Sequence, residues 1–167
     1  HIIFAFREDK RAIKTMTLVN SLANPRPTTD TYKMPMPGDS GVSQYDIALF
    51  NADTQEKIPV SIAKYPDQKV DISYSSTPGY VFFTRRSRPD LCRLDIHTGK
   101  VEELISEHCA PHMNIQLFKY HLINDGKEII WWSERNGKGQ YFLYDNNGNL
   151  KNAITPPDMV AGTIMKL

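Results

Sequence analysis

Cysteine is scarce in this chain: Cys92 and Cys109 are the two among 167 residues. Two thiols supply neither a disulfide framework nor the ligands of a structural zinc. Charge of one sign is also lacking, since 20 basic side chains face 19 acidic ones for a net +1. That balance gives no electrostatic case for nucleic acid or an anionic membrane surface as partner. No apolar run approaches the ~20 residues that a membrane-spanning helix needs. Helix signals are nearly absent, and no secretory leader precedes the opening Ile2–Phe6. That opening reads as a strand from mid-domain, which predicts an excised piece of a longer protein.

A hairpin pattern recurs in what remains. Apolar strands turn through Asp, Asn, Thr or Gly and re-enter apolar strands in the segments 45–60, 91–105 and 141–154. They start at Tyr45, Leu91 and Tyr141, so they lie 46 and then 50 residues apart. A period of roughly 40–50 residues with several strands per unit is the mark of a β-propeller blade. Strands are predicted at 69–74, 80–85, 91–96 and 101–105, and again at 118–123, 128–133, 140–145 and 150–155. Their joints carry Asn-Asp-Gly, Asn-Gly and Thr-Gly turns, whose residues tolerate the positive φ of tight hairpins. Ile2–Arg7 and Ile13–Val19 are further strands, and the Pro-rich stretch from Asn20 to Val42 is an excursion with one short strand at 31–33. The runs Val81–Phe83 and Ile129–Trp132 lack polar alternation and read as innermost strands, packed between blades. The fold expected is all-β, a partial β-propeller of about three four-stranded antiparallel blades. The units are about 1–64, 65–112 and 113–156, with the start of a further blade at 157–167. The 163–166 stretch is read as its inner strand. A self-contained β-sandwich is the rival architecture.

Each constellation that could carry chemistry has a plainer reading. Gly38–Gly41 spells Gly-Asp-Ser-Gly, as around a protease nucleophile, but only His1 precedes Ser40 as a base. The hydrolase elbow fails because Val42 stands where it needs glycine. Asp145–Asn149 lacks the spacing and closing glutamate of a calcium loop and reads as a turn. Gly137–Gly139 lacks the strand–loop–helix frame of a phosphate cradle. His108, Cys109 and His112 are local neighbours without a fourth metal ligand. No metal and no cofactor is expected. Cys92 reads as a small core residue, and the basic cluster Arg85, Arg86 and Arg88 as a solvated loop or a carboxylate clamp.

One stretch carries a family resemblance. Trp132–Asp145, continuing to Leu150, resembles the Trp-x-Ser-Glu-Arg-Asp-Gly…Leu-Tyr-x-Tyr-Asp…Gly segment of the dipeptidyl peptidase IV propeller. Leu91–Gly99 is similar to the preceding blade of bacterial members, and Arg26–Pro27 with Tyr32–Gly38 to the segment before it. Ile2–Phe6 matches the strand after that family's Ser-Pro-Asp-Gly turn. The resemblance implies a parent in the prolyl-oligopeptidase clan, where a propeller is joined to an α/β-hydrolase domain holding a serine, aspartate and histidine. Such enzymes release N-terminal dipeptides with Pro or Ala in the penultimate position. The family's Glu-Glu pair would lie upstream of His1, and no catalytic residue is expected within this chain. Counting back from Asp125 puts Ile115 and Gln116 on the family's substrate-side loop, where relatives have an aromatic and an arginine. The implied partners are the hydrolase domain, the remaining blades and a peptide substrate, with self-association through uncovered blade faces. The implied location is the periplasm, the cell surface or the secreted space. The alternative function is a non-catalytic propeller that binds protein or glycan partners.

Overall fold

The computed structural model of the chain describes residues 1–62, 70–73, 77–85, 89–110 and 112–165. Among these every regular element is a strand, and the strands form four antiparallel sheets. The first joins β1 (Ile2–Asp9), β4 (Gln44–Asn51) and β5 (Glu56–Ile58) in the order β1-β4-β5. The second runs in sequence order through β6 (Val70–Ser73), β7 (Tyr80–Arg85), β8 (Asp90–Asp95) and β9 (Val101–Ile105). The third repeats it with β10 (Tyr120–Ile123), β11 (Glu128–Ser133), β12 (Gln140–Asp145) and β13 (Leu150–Ala153). The fourth is the hairpin of β2 (Thr15–Asn20) and β3 (Thr28–Lys33). The chain is thus an all-β partial propeller.

Alternation along the strands builds the cores. In β7, Phe82 faces the third sheet and Phe83 the first. In β11, Ile129 and Trp131 face the second sheet while Ile130 and Trp132 face away. The first seam buries Ile47 and Leu49 against Val70, Phe83, Cys92 and Leu94. The second seam buries Phe82, Leu91 and Ile105 against Ile129, Trp131, Phe142 and Tyr144. Burying each large side chain contributes roughly 1.5–3 kcal/mol, so a strand apolar on both faces is stabilised by both neighbours.

The turns repeat one device. Asp95 Oδ1 accepts the amide hydrogens of His97 and Thr98, and Asp145 Oδ1 accepts those of Asn147 and Asn149. Asn51 Oδ1 does the same for Asp53 and Thr54. A glycine with positive φ then closes the later two turns, Gly99 (φ 73°) and Gly148 (φ 81°). In the first turn Gln55 takes that conformation (φ 60°).

Several expectations are corrected. Among the described residues the first unit's sheet has three strands and not four, and β2 and β3 pair only with each other. The long excursion leaves β1 and returns beside it, so β1 pairs with β4 along its whole length, from Ile2↔Asn51 to Asp9↔Gln44. β7 and β11 are second strands, not innermost ones; the edges are β6 and β10. Their double-faced apolarity comes from lying inside the sheet between two seams. Residues 161–165 form no strand; the Ala161 amide donates to the Gly139 carbonyl, and Ile164 packs on the third sheet. The expected strand ends at Lys69 and Tyr74, the Arg86 and Arg88 side chains and Lys166 lie outside the described residues.

Candidate functional site

The seam between the second and third sheets is tied at three places. On the edge-strand side, Thr77 Oγ1 donates to the Asp125 carbonyl at 3.4 Å, and Gly126 leaves no room there for a Cβ. On the outer side, Arg93 Nη1 donates to the Asn146 carbonyl at 2.7 Å, and Gly148 sits against the Leu104 carbonyl. Below them the connector after β9 delivers Glu107, 5 % exposed, into the third sheet. Glu107 Oε2 accepts from Trp131 Nε1 at 2.7 Å and from Arg135 Nη2 at 2.8 Å. The Arg135 guanidinium also lies over the Phe142 ring, 4.5 Å from its centroid.

The remaining corner, where β6 and β10 begin, opens into a cleft of about 590 Å³. That volume is of the size that receives small ligands. Ile115 and Gln116 line it, together with Phe118, Lys119 and Tyr120 from the third unit and Asp71, Thr84 and Arg85 from the second. The structure therefore brings both sequence-predicted residues to one wall. Glu134 fixes that wall: its Oε2 accepts the Asn114 amide at 2.8 Å, and Asn114 Oδ1 accepts the Gln116 amide at 3.2 Å. Phe118 is held edge-on to Trp131, with ring centroids 4.7 Å apart.

Arg85 follows the carboxylate-clamp reading and not the solvated-loop one. It is 4 % exposed, not solvated, and its guanidinium donates to the fully buried Asp90 and, at 2.8 Å, to Glu103. A buried carboxylate is tolerable only when paired in this way. The sequence signal was available: an arginine closing an apolar strand, with an aspartate opening the next. Asp90 also accepts from Ser106 Oγ at 2.9 Å, and His108 Nε2 lies 3.5 Å from that hydroxyl. Serine, aspartate and histidine thus meet, but in the wrong order. A nucleophilic serine needs the histidine as its base and the carboxylate behind the histidine. Here Ser106 donates to a carboxylate already held by Arg85, so the group is structural.

His121 and Cys109 lie outside this group. Burial, with the Lys119 charge adding to it, lowers the pKa of His121. Burial and the Glu107 charge raise that of Cys109, which keeps the thiol protonated. Among the described residues no group of three His, Cys, Asp or Glu side chains could hold a metal ion. Ser40 sits in a loop where Lys14 Nζ pairs with Asp39 at 2.9 Å.

No family model matches the sequence, and no curated protein matches it either. Solved structures do match. The chain superimposes on part of Porphyromonas gingivalis dipeptidyl peptidase 4 with a TM-score of 0.73, over 93% of this chain and 23% of that one, at 18% identity. It also superimposes on a Bacteroides ovatus protein described as a dipeptidyl aminopeptidase IV, with a TM-score of 0.63 over 88% of this chain and 21% of that one, at 21% identity. The fold is therefore that of a segment of the dipeptidyl peptidase IV structures, and the chain spans about a fifth of their length.

Proposed function

We propose that this chain is a non-catalytic propeller segment of a dipeptidyl peptidase IV-like serine exopeptidase. In this reading the parent releases N-terminal dipeptides with penultimate Pro or Ala. The catalytic serine, histidine and aspartate belong to an α/β-hydrolase domain elsewhere in the parent. The segment restricts access to that centre, and the cleft wall at Ile115 and Gln116 faces the peptide. Its place is the periplasm, the cell surface or the secreted space.

The observation that carries this reading is the superposition over 93% of the chain on a dipeptidyl peptidase 4. The cleft adds to it, because the residues counted onto the substrate-side loop line a cleft between sheets. The test is hydrolysis of Gly-Pro p-nitroanilide. The parent protein is expected to cleave it and to be silenced by a fluorophosphonate, while the isolated chain stays inactive. Fluorophosphonate-sensitive turnover by the isolated chain, or a parent that does not cleave, overturns the proposal.

A further inference from the structure

The wall that carries Ile115 and Gln116 has little packing of its own. Residues 114–117 are all exposed, and they lie between the buried Met113 and Phe118, which packs on Trp131. Hydrogen bonds therefore set the shape of this stretch. Glu134 Oε2 accepts the Asn114 amide at 2.8 Å, Asn114 Oδ1 accepts the Gln116 amide at 3.2 Å, and the Asn114 carbonyl accepts the Leu117 amide at 3.0 Å. The last two fold the loop onto itself as an Asx-type turn. The first ties it to the end of β11, and its charged acceptor makes it the strongest of the three. Glu134 is itself held in place. It follows the fully buried Ser133, and its carbonyl accepts the Gly137 amide at 2.8 Å. The next residue, Arg135, reaches Glu107 at 2.8 Å. Consecutive side chains thus grip the connector between the two sheets at both ends, Glu107 just after β9 and Asn114 just before the cleft wall.

We propose that Glu134 is a positioning residue for the peptide: through Asn114 it sets the wall at Ile115 and Gln116 before the peptide arrives. This rests on the peptidase reading above and deepens it. Among the described residues Glu134 does not line the cleft, so it acts on the peptide through the loop and not by contact. A loop already in its binding shape loses no conformational freedom when the ligand arrives. Releasing it weakens binding and leaves the chemical step to the hydrolase domain unchanged.

The experiment compares Glu134→Ala and Glu134→Gln with the unaltered protein by two readouts. In this chain, hydrogen exchange followed by NMR should show the Asn114 and Gln116 amides exchanging about tenfold faster in Glu134→Ala, the effect of losing one hydrogen bond to a charged acceptor. The β11 and β12 amides should keep their rates. In the parent, Glu134→Ala should raise KM for Gly-Pro p-nitroanilide about three- to tenfold and leave kcat within about twofold, the pattern of lost binding alone. Glu134→Gln keeps an acceptor oxygen at the same reach and should recover most of both losses. Unchanged exchange at the wall, an unchanged KM, or a fall in kcat at constant KM overturns the proposal. Faster exchange spread through β11 and β12 also overturns it, because Glu134 would then support the sheet and not the wall. These outcomes are read in a parent that cleaves the substrate. An unaltered parent without hydrolysis instead removes the peptidase reading, and this proposal with it.

Discussion

Glu107 is a carboxylate taken almost wholly out of water, and its stability rests on two donors from a neighbouring sheet. Removing it strands the Arg135 charge and the Trp131 indole hydrogen. Glu107→Ala is expected to cost about 3–5 kcal/mol, the usual penalty for breaking a buried pair from one side. Urea unfolding followed by tryptophan fluorescence measures it. The exposed acids act differently. The Tyr45 hydroxyl and then Lys10 hold Glu8 down at about 2; Lys100 and then Arg93 hold Glu102 at about 2. Both begin from an ordinary value of 4.5, so the unfolded chain binds protons first. Their contribution is complete above 4.5 and is lost as pH falls from there toward 2. Carboxyl carbon titration should find both midpoints well below the ordinary glutamate value of 4.5. His121 runs in the same direction, since its lowered pKa keeps it neutral when folded. Lys119→Met should raise the His121 midpoint in a proton titration, because burial alone then opposes its charging. Sequence revealed part of this scale. Cys92 is the core residue its apolar strand suggested, fully buried. The Arg85–Asp90 pairing left a signal in the sequence, whereas Glu103 joins it from a strand that the fold lays alongside.

At the scale of elements, the repeated turn decides how closely the sheets approach. A Cβ on Gly99 would land on the Pro59 carbonyl, and one on Gly148 on the Leu104 carbonyl. Each glycine belongs to one sheet and each carbonyl to the chain of the sheet before. Gly137 shares the positive φ but has open space around it. Asparagine tolerates that backbone conformation, so it separates strain from collision. Gly137→Asn should leave the melting temperature nearly unchanged, whereas Gly148→Asn should lower it by several degrees, a loss of about 1–3 kcal/mol. Equal effects of the two would show that backbone strain alone matters. These turns were legible beforehand, and so were β11 and β12, whose observed limits match the expected ones. Apolar runs bounded by Asn-Gly and Asp-rich turns leave little freedom in where a strand stops. Partner choice was not legible. The β1–β4 ladder spans the whole Pro-rich excursion, and local pattern carries no record of a pairing made at that distance. The same limit explains β7 and β11: apolarity on both faces marks an interior strand without saying which position it holds.

Across the whole molecule, protection should grade from the seams outward. β7, β8, β11 and β12 lie between buried clusters, while β3 is exposed at every residue. Hydrogen exchange is expected to be slowest in those four strands and fastest in β2 and β3, because opening the hairpin exposes little apolar surface. The reverse order would contradict the packing described. The cleft followed this scale too: Ile115 and Gln116 could be counted onto a loop, but their meeting with Lys119 and Arg85 depends on two sheets coming together. The β1–β4 ladder has one more outcome. Asp9 and Gln44 pair at its last rung, so everything from Lys10 to Ser43 enters and leaves through a single doorway. Topologically the excursion is cargo on an ordinary hairpin. A chain in which a two-residue Asn-Gly link replaces it should still assemble its other three sheets, and that doorway would accept a foreign segment in exchange.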